Sequence, residues 1–486
     1  MAQRNVPFSE NLLLKSWPEQ RLHYAQFVFN RNQHRKAAHI AAGVQPTNER
    51  QQLQVERMRA CGQVIEGTFN WPISDIVKPT GSVSPSVLIA LHNSAPYDFA
   101  GYWYRTKNIL QCLTNAGLRV HCATRPGYPW DLQKHRTLPV SLIDKVDGVE
   151  FFRLSSEIAP YKQGSDFRYI SNYAVQLAEL AKQNNSNVIH GHSNYLNGLA
   201  AIEASRITGC LSVYEARGFW HLTRLSKEPE FGDTDAFVYE VNMEKLALQH
   251  ADQVVTLSGA MKELIVSFGV NADKVHVVPN AVDTNRFVPE KTDLLLRQQW
   301  PVDGFVVGFI GSLTPYEGLL DLVSAVKILR KQGVRVSLVV VGSGPFEPNL
   351  NEAIKGCDFI YFPGRIPHED VNRWYATFDC CAYPRKNDPV CRYVPPLKVL
   401  EAMAMEKPVI VSDLPPLLEM VQNGVTGLLC APDSPESLAN KIKLLMDDEE
   451  LAKQLGQEAR RWVKANRTWE INAKKYMDVY QGRTAL

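Results

Sequence analysis

The chain has 486 residues, too many for a single hydrophobic core, so two or three domains are expected. Its apolar content of 45% and charged content of 21% are those of an ordinary globular protein, and a net charge of only +2 supplies no global attraction for nucleic acid. Nine cysteines, at 61, 112, 122, 210, 357, 380, 381, 391 and 430, make no CxxC pair and no metal-ligand spacing. Their odd number suits a reducing compartment in which most thiols serve as small core residues.

Residues 1–84 stand apart. They are rich in Gln, Arg and Asn, as in "NRNQHRKAAH" and "QPTNERQQLQVERMRAC", and predict one or two polar helices before a loose tail ending in "KPTGSVSPS". Such an extension is either a packing arm or an ill-ordered segment, or it contacts a partner or anionic lipid. The opening "MAQRNVPFSENLLLKSW" is too polar for a signal peptide, and no run of about 18 apolar residues predicts a spanning helix. A cytoplasmic protein is expected, with peripheral contact at the inner membrane face left open.

From Val87 the pattern changes to short β-branched runs alternating with amphipathic stretches. "VLIAL" is a strand, "YWYRTKNILQCLTNAG" a helix ended by Gly117, "RVHCAT" a strand, and "VDGVEFFRL" a hairpin turning at Asp-Gly. Helix 168–183, strand "NVIHG", helix 196–208, strand "SVYEA", helix 235–251, strand "QVVTLS", helix 259–268 and strand "KVHVVPN" follow. Residues 284–303, with Pro289 and Pro301, read as a linker. The alternation then restarts with "FVVGFIGS", helix 318–332, "RVSLVVVG", helix 346–355, "DFIYFPG", helix 369–377, "CCAYP", helix 396–405, "PVIVS", a short helix near 416–422 and "GLLC". Ser434-Pro435 opens a further helix, and "RTWEINAKKYMDVY" is the last. Nearly continuous apolar strands alternating with helices predict parallel sheets covered on both faces, in two consecutive doubly wound halves. Ligands of such sheets sit at the carboxyl ends of the strands.

Three segments carry candidate chemistry. In "GFIGSLTPYEGLLDLV", Gly311 and Ser312 form a strand–loop–helix unit suited to a phosphate, though such turns are common in α/β proteins. In "VVVGSGPFEPNL", Gly342 and Gly344 either let the chain approach a flat ligand or make a tight turn. In "CCAYPRKNDPVCRYVPPLKVLEAMA", Arg385, Lys386, Arg392 and Lys398 gather around the helix bearing Glu401, a plausible diphosphate site if they are more than solvated surface cations. Lys398 and Glu401 also have the spacing of a surface ion pair.

Taken together, "VIHGHS", "VHVVPNAVDTNRF", "KVLEAMAMEKPVIVSD" and "NGVTGLLCAPDSPESLANKI" resemble the retaining glycosyltransferases of family 4 over roughly residues 85 to 484. The resemblance implies the GT-B fold, with two Rossmann-like domains facing across a cleft, preceded here by the polar helical extension. It places an acceptor-side domain at 85–285, a nucleotide-sugar domain at 303–466, and a final helix, 467–486, crossing back onto the first domain. It implies a sugar transferred from a nucleotide-diphosphate donor to a glycan or lipid-linked acceptor, without metal or other cofactor and with no nucleic-acid partner. Glu401 matches the second Glu of the family's Glu-x7-Glu motif and would hold the ribose. Gly311 lies in the donor loop, His192 beside the reacting sugar, and Gly101 in a loop touching the donor phosphate, with the acceptor entering beside Gly101, Tyr102 and Trp103.

Three positions depart from the family pattern: Tyr393 replaces the first Glu, and Ser312 and Glu317 stand where Arg and Lys are usual. These departures, with "TRPGYPWD" and "YEARGFW", resemble a subgroup in which the swaps travel together. Arg385, Arg392 and Lys398 would then supply the missing positive field, with Arg217 a further cation or else an ion-pair partner of Glu215 or Asp98. The expected catalytic group is His192, Arg385 and Lys398. Donor binding falls to Gly101, Arg217, Gly311, Ser312, Gly342, Arg392, Tyr393 and Glu401. The alternatives are a scaffold that binds nucleotide or glycan without turnover, and a nucleotide-sugar epimerase.

Overall fold

The computed structural model describes residues 18–69, 71, 85–98, 101–137, 140–155, 165–301 and 303–483. They form two compact units. The first holds the described residues up to Val255, with Ile265–His276 and the chain from Asp478 onward; the second holds Thr256–Leu264 and Val277–Met477. The anticipated tail "KPTGSVSPS" lies almost wholly outside the described residues.

The described residues of the N-terminal extension make three helices, Pro18–Phe29, His34–Ala42 and Glu49–Glu66, where composition suggests one or two. Their buried residues explain the difference: Leu22, Ala25 and Val28, then Ala37, Ile40 and Ala41, then Val55, Met58 and Ile65 are sparse apolar stripes diluted by Gln and Arg. Asn48 caps the third helix by accepting from Gln51 N, and Gly67, at φ +68°, ends it. The bundle docks on the helix Asp235–His250 of the same unit. Asn242 Nδ2 donates to Val64 O at 2.9 Å, and Arg35 pairs with Asp235 at 2.8 Å. This is the behaviour of a packing arm.

The first sheet has eight strands: β1 Ser86–Leu91, β2 Arg119–Thr124, β3 Ile143–Val146, β4 Val149–Arg153, β5 Val188–His192, β6 Leu211–Ala216, β7 Gln253–Thr256 and β8 Val275–Val277. Their order is β3-β4-β2-β1-β5-β6-β7-β8. The pairs β4–β2, β2–β1, β1–β5 and β5–β6 are parallel, and the β3–β4 hairpin is antiparallel; its turn residues Asp147 and Gly148 take φ of +50° and +85°, as the Asp-Gly signal predicts. Strand order reverses between β1 and β5, a topological switch point, so the carboxyl ends there are the natural ligand rim. His192 ends β5, and Gly101 starts the helix Gly101–Asn115 that follows β1.

The second sheet has six parallel strands, β9 Phe305–Ile310, β10 Val336–Val341, β11 Ile360–Gly364, β12 Cys380–Tyr383, β13 Val409–Ser412 and β14 Leu428–Cys430, ordered β11-β10-β9-β12-β13-β14. Its switch point lies between β9 and β12, which brings the Gly311 loop beside the loop following Tyr383. The helix Lys398–Ala404 buries Val399, Leu400, Ala402, Met403 and Ala404, which leaves Lys398 and Glu401 on its other face. Residues 284–303 are not a free linker: they belong to the second unit, and Asp293 caps a short helix, Leu294–Gln298, there. A helix at Trp220–Leu225 also escapes the sequence reading, being too short to show a period. Among the described residues no helix is long and apolar enough to cross a membrane.

Candidate functional site

Candidate residues fall into two groups, one in each unit. In the second unit, Gly311 N donates to Val341 O at 3.0 Å and Leu313 N to Ser343 O at 3.1 Å, so the loops after β9 and β10 are laced together. A Cβ on Gly342, at φ +141°, would collide with the carbonyl oxygen of Gly311. The glycine at 342 is therefore already required by loop-on-loop packing, the tight-turn alternative of the sequence reading. Ser312 is exposed at the loop's outer edge.

The four cations expected around Glu401 separate into different environments. Lys386 pairs with Asp321 at 3.0 Å and Asp433 at 3.1 Å. Arg392 is exposed and donates to Asn387 Oδ1 at 2.8 Å. Arg385 is buried, donating through Nη1 to Val394 O at 2.7 Å. Lys398 lies against the Gly311 loop: its Nζ would be 3.0 Å from a Cβ added to Gly311. Arg385 and Lys398 converge on Glu317, whose carboxylate is 2.6 Å from Lys398 Nζ and 3.6 Å from Arg385 Nε. Burial opposes ionisation of Glu317, but the two cations outweigh it and hold its pKa below the ordinary value. In sequence Glu317 is only a departure; its pairing depends on β9 and β12 being neighbours.

Glu401 does not pair with Lys398. It accepts from the Tyr375 hydroxyl at 3.3 Å, and burial raises its pKa against the opposing pull of Tyr375, Arg286 and Lys398. Tyr375 has no local sequence signal linking it to this site. Tyr393 is half-buried and presents its carbonyl to Ser258 Oγ at 2.7 Å.

In the first unit a buried polar cluster surrounds Glu215 at the end of β6. Glu215 pairs with Arg217 at 2.7 Å and Arg105 at 3.0 Å. Burial works against its charge, yet Arg217 and Arg105 keep its pKa well below the usual carboxylate range. Arg217 also donates to Thr106 Oγ1 at 2.8 Å and lies 4.8 Å from the Tyr102 ring centroid. The ion-pair alternative with Glu215 thus describes Arg217. Its Nη2 lies 2.6 Å from His192 Nδ1. A guanidinium only donates, so that ring nitrogen accepts and the imidazole is neutral. Burial first, then Arg217 and His190, push the pKa of His192 well down. The ring has no exposed surface.

His190, His192 and Glu215 have ligand atoms within 4.8 Å of one another. Two guanidiniums already face the carboxylate, however, and their charge disfavours a cation there. Gly101 is exposed, with nothing within 4 Å of an added Cβ. Trp103 does not line a ligand entry: it is buried and packs at 5.8 Å from the Phe151 ring.

Comparison with known proteins adds to this geometry. Residues 101–286 match the family model "Glycosyltransferase Family 4" and residues 292–462 the model "Glycosyl transferases group 1". A GDP-mannose-dependent alpha-(1-6)-phosphatidylinositol monomannoside mannosyltransferase of Mycobacterium tuberculosis is 28% identical over 242 residues, 48% of this chain and 63% of the relative. An uncharacterised glycosyltransferase of Methanocaldococcus jannaschii is 27% identical, with 49% of this chain and 62% of the relative covered. These matches span less than two thirds of either relative. Among solved structures, a sucrose-phosphate synthase from Thermosynechococcus elongatus superposes with a TM-score of 0.67 at 22% identity, covering 82% of this chain and 98% of that one. HepE from Anabaena, in complex with UDP-glucose, gives a TM-score of 0.61 at 19% identity, with coverage of 82% and 99%. The fold is GT-B.

Proposed function

We infer that this chain, whose two domains are those of family 4-type glycosyltransferases, moves a sugar from a nucleotide-diphosphate donor to a glycan or lipid-linked acceptor. The observation that carries the reading is the placement of Lys398. A largely buried ammonium lies over the Gly311 loop at the switch point of the second sheet, where a departing diphosphate needs positive charge. Glu401, on the free face of the same helix, is the group for a ribose hydroxyl. Arg392 and Ser312 stand exposed nearby in the chain's donor-side loops. Buried Arg385 contributes its field from below the loop, not a direct contact.

The first unit offers Gly101 as an open position at a helix start and His192 as a neutral imidazole oriented by Arg217. Retention at the anomeric carbon would follow from same-face attack assisted by the leaving phosphate, without a covalent enzyme intermediate and without a metal. UDP-glucose and GDP-mannose are reasonable first donors, since HepE binds the one and the mycobacterial relative is named for the other. That relative's name also supports a lipid-linked acceptor, and with it contact at a membrane surface.

A second reading has a specific observation behind it. Glu317 neutralises one of the two buried cations, and Arg385 is committed to Val394, as in a scaffold that holds nucleotide without turnover. The experiment is incubation with a panel of nucleotide sugars, with and without glycan and lipid-phosphate acceptors, following diphosphate release. Release above the buffer rate, lost in Lys398→Gln, supports transfer. Nucleotide binding with no release from any donor replaces it by the scaffold.

A further inference from the structure

Glu317 sits in the loop between β9 and the helix Leu319–Lys331 and is 6% exposed. It touches both buried cations, but they differ in freedom. Arg385 is also fixed by Val394 O and lies 5.5 Å from the Tyr316 ring centroid. Lys398, whose side chain is 11% exposed, has Glu317 as its ion-pair partner and rests on Gly311. We propose that Glu317 is a positioning residue that holds the Lys398 ammonium over the Gly311 turn, where the leaving diphosphate of a nucleotide sugar lies. This rests on the donor site proposed above.

A lysine at this position faces two opposed requirements. It must be dry enough to act strongly on a phosphate, and dryness favours loss of its proton. Burial pushes the pKa of Lys398 down, Glu317 opposes that, and Arg385 adds to it. The other groups facing Lys398 do not replace Glu317. The Phe309 ring of β9 and the Tyr383 ring ending β12 lie 4.4 and 5.9 Å from the ammonium. Cys391, from the loop after β12, is a buried thiol with its pKa raised to about 12. Tyr375, from the helix Val371–Thr377, reaches the Lys398 carbonyl at 3.4 Å, and Glu401, one turn along, accepts from Tyr375. Without the Glu317 charge, the ammonium would sit beside a guanidinium with no carboxylate in contact. Lys398 would then lose its proton at lower pH, and the half-site its grip on a diphosphate.

The test uses the full chain with UDP and GDP as probes. Nucleotide affinity is measured by calorimetry from neutral pH to about pH 9, and the 13Cε resonance of Lys398, assigned with Lys398→Gln, is titrated separately. The parent should bind with a level profile. Glu317→Gln should lose about tenfold in affinity across that range, with the Lys398 resonance titrating at lower pH than in the parent. Glu317→Asp, one methylene short but still charged, should give a smaller displacement and recover much of the level profile; it carries the comparison if Glu317→Gln does not fold. A merely structural role would lower Tm and move neither pH profile. A Lys398 resonance titrating at the parent's pH in both variants overturns the positioning role whatever the nucleotide does. A resonance that moves while the parent binds neither UDP nor GDP overturns the donor reading, and the assigned diphosphate with it.

Discussion

Arg217 Nη2 and His192 Nδ1 lie 2.6 Å apart, with both side chains buried at the carboxyl ends of β5 and β6. The contact requires the imidazole to accept, so the strand-end histidine is neutral. His190, two residues earlier, is also fully buried; burial first, with Arg217 and Arg105 adding to it against Glu215, pushes its pKa from 6.5 to about 4.

Stability should therefore fall on mild acidification. The unfolded chain binds protons at both histidines below pH 6.5, while the folded chain resists them. The loss begins as pH drops through that value and levels off for His190 only below about 4. Each histidine contributes a slope of up to about 1.4 kcal/mol per pH unit within its window. Tm measured between neutral pH and about pH 5 should decline in the parent and decline less in His190→Asn, each relative to its own neutral value. Equal slopes would remove His190 from the account.

Glu401→Ala should weaken UDP or GDP binding by about 1.5–3 kcal/mol, on the order of ten- to a hundredfold in Kd, through loss of a charged hydrogen bond. Burial raises the carboxyl's pKa, so binding should also weaken on acidification sooner than for an ordinary glutamate. Unchanged affinity in calorimetry takes Glu401 out of the ribose site.

Arg385 and Arg392 should separate in kind. Arg385→Ala removes a buried guanidinium from Glu317 and Val394 and should cost about 3–5 kcal/mol of stability, read from denaturant unfolding. Arg392→Ala, at an exposed side chain, should stay within about 0.5 kcal/mol and alter donor affinity or turnover alone. A large stability loss in Arg392→Ala, or none in Arg385→Ala, contradicts these placements.

Two glycines make a matched pair. Gly342→Ala drives a Cβ into the Gly311 carbonyl at a positive φ, and should destabilise by about 1–3 kcal/mol or more and disturb nucleotide binding. Gly101→Ala meets open space, so its stability should change by no more than about 0.5 kcal/mol. Turnover lost in Gly101→Ala with Tm preserved would mark a position that substrate approaches.

Much of the fold was legible because its signals are local. The apolar runs of β1 and β10 are buried throughout and that of β9 from Val306 onward, and the Asp147-Gly148 turn and the Ser434 cap are where their chemistry places them. The three described helices of the N-terminal extension were harder to read. Their apolar positions are thin among Gln and Arg, and part of what they bury lies against the helix Asp235–His250, far along the chain. Of the motif positions, Lys398 lies against Gly311 at the switch point of the second sheet, while Glu401, one turn along the same helix, faces the Tyr375 hydroxyl.

The amino-acid sequence determined where most of the strands and helices lie, that two doubly wound sheets follow one another, and which residue types stand at the carboxyl ends of their strands. It did so because hydrophobic period and turn chemistry act over a few residues. Only the tertiary structure decided the partners. Lys398 turns from Glu401, one turn away, to Glu317 across the β9–β12 junction, and Arg105 reaches Glu215 over a separation of 110 residues. A buried charge takes whichever opposite charge the packed sheets bring within reach, and that distance is set by strand order, not by spacing along the chain.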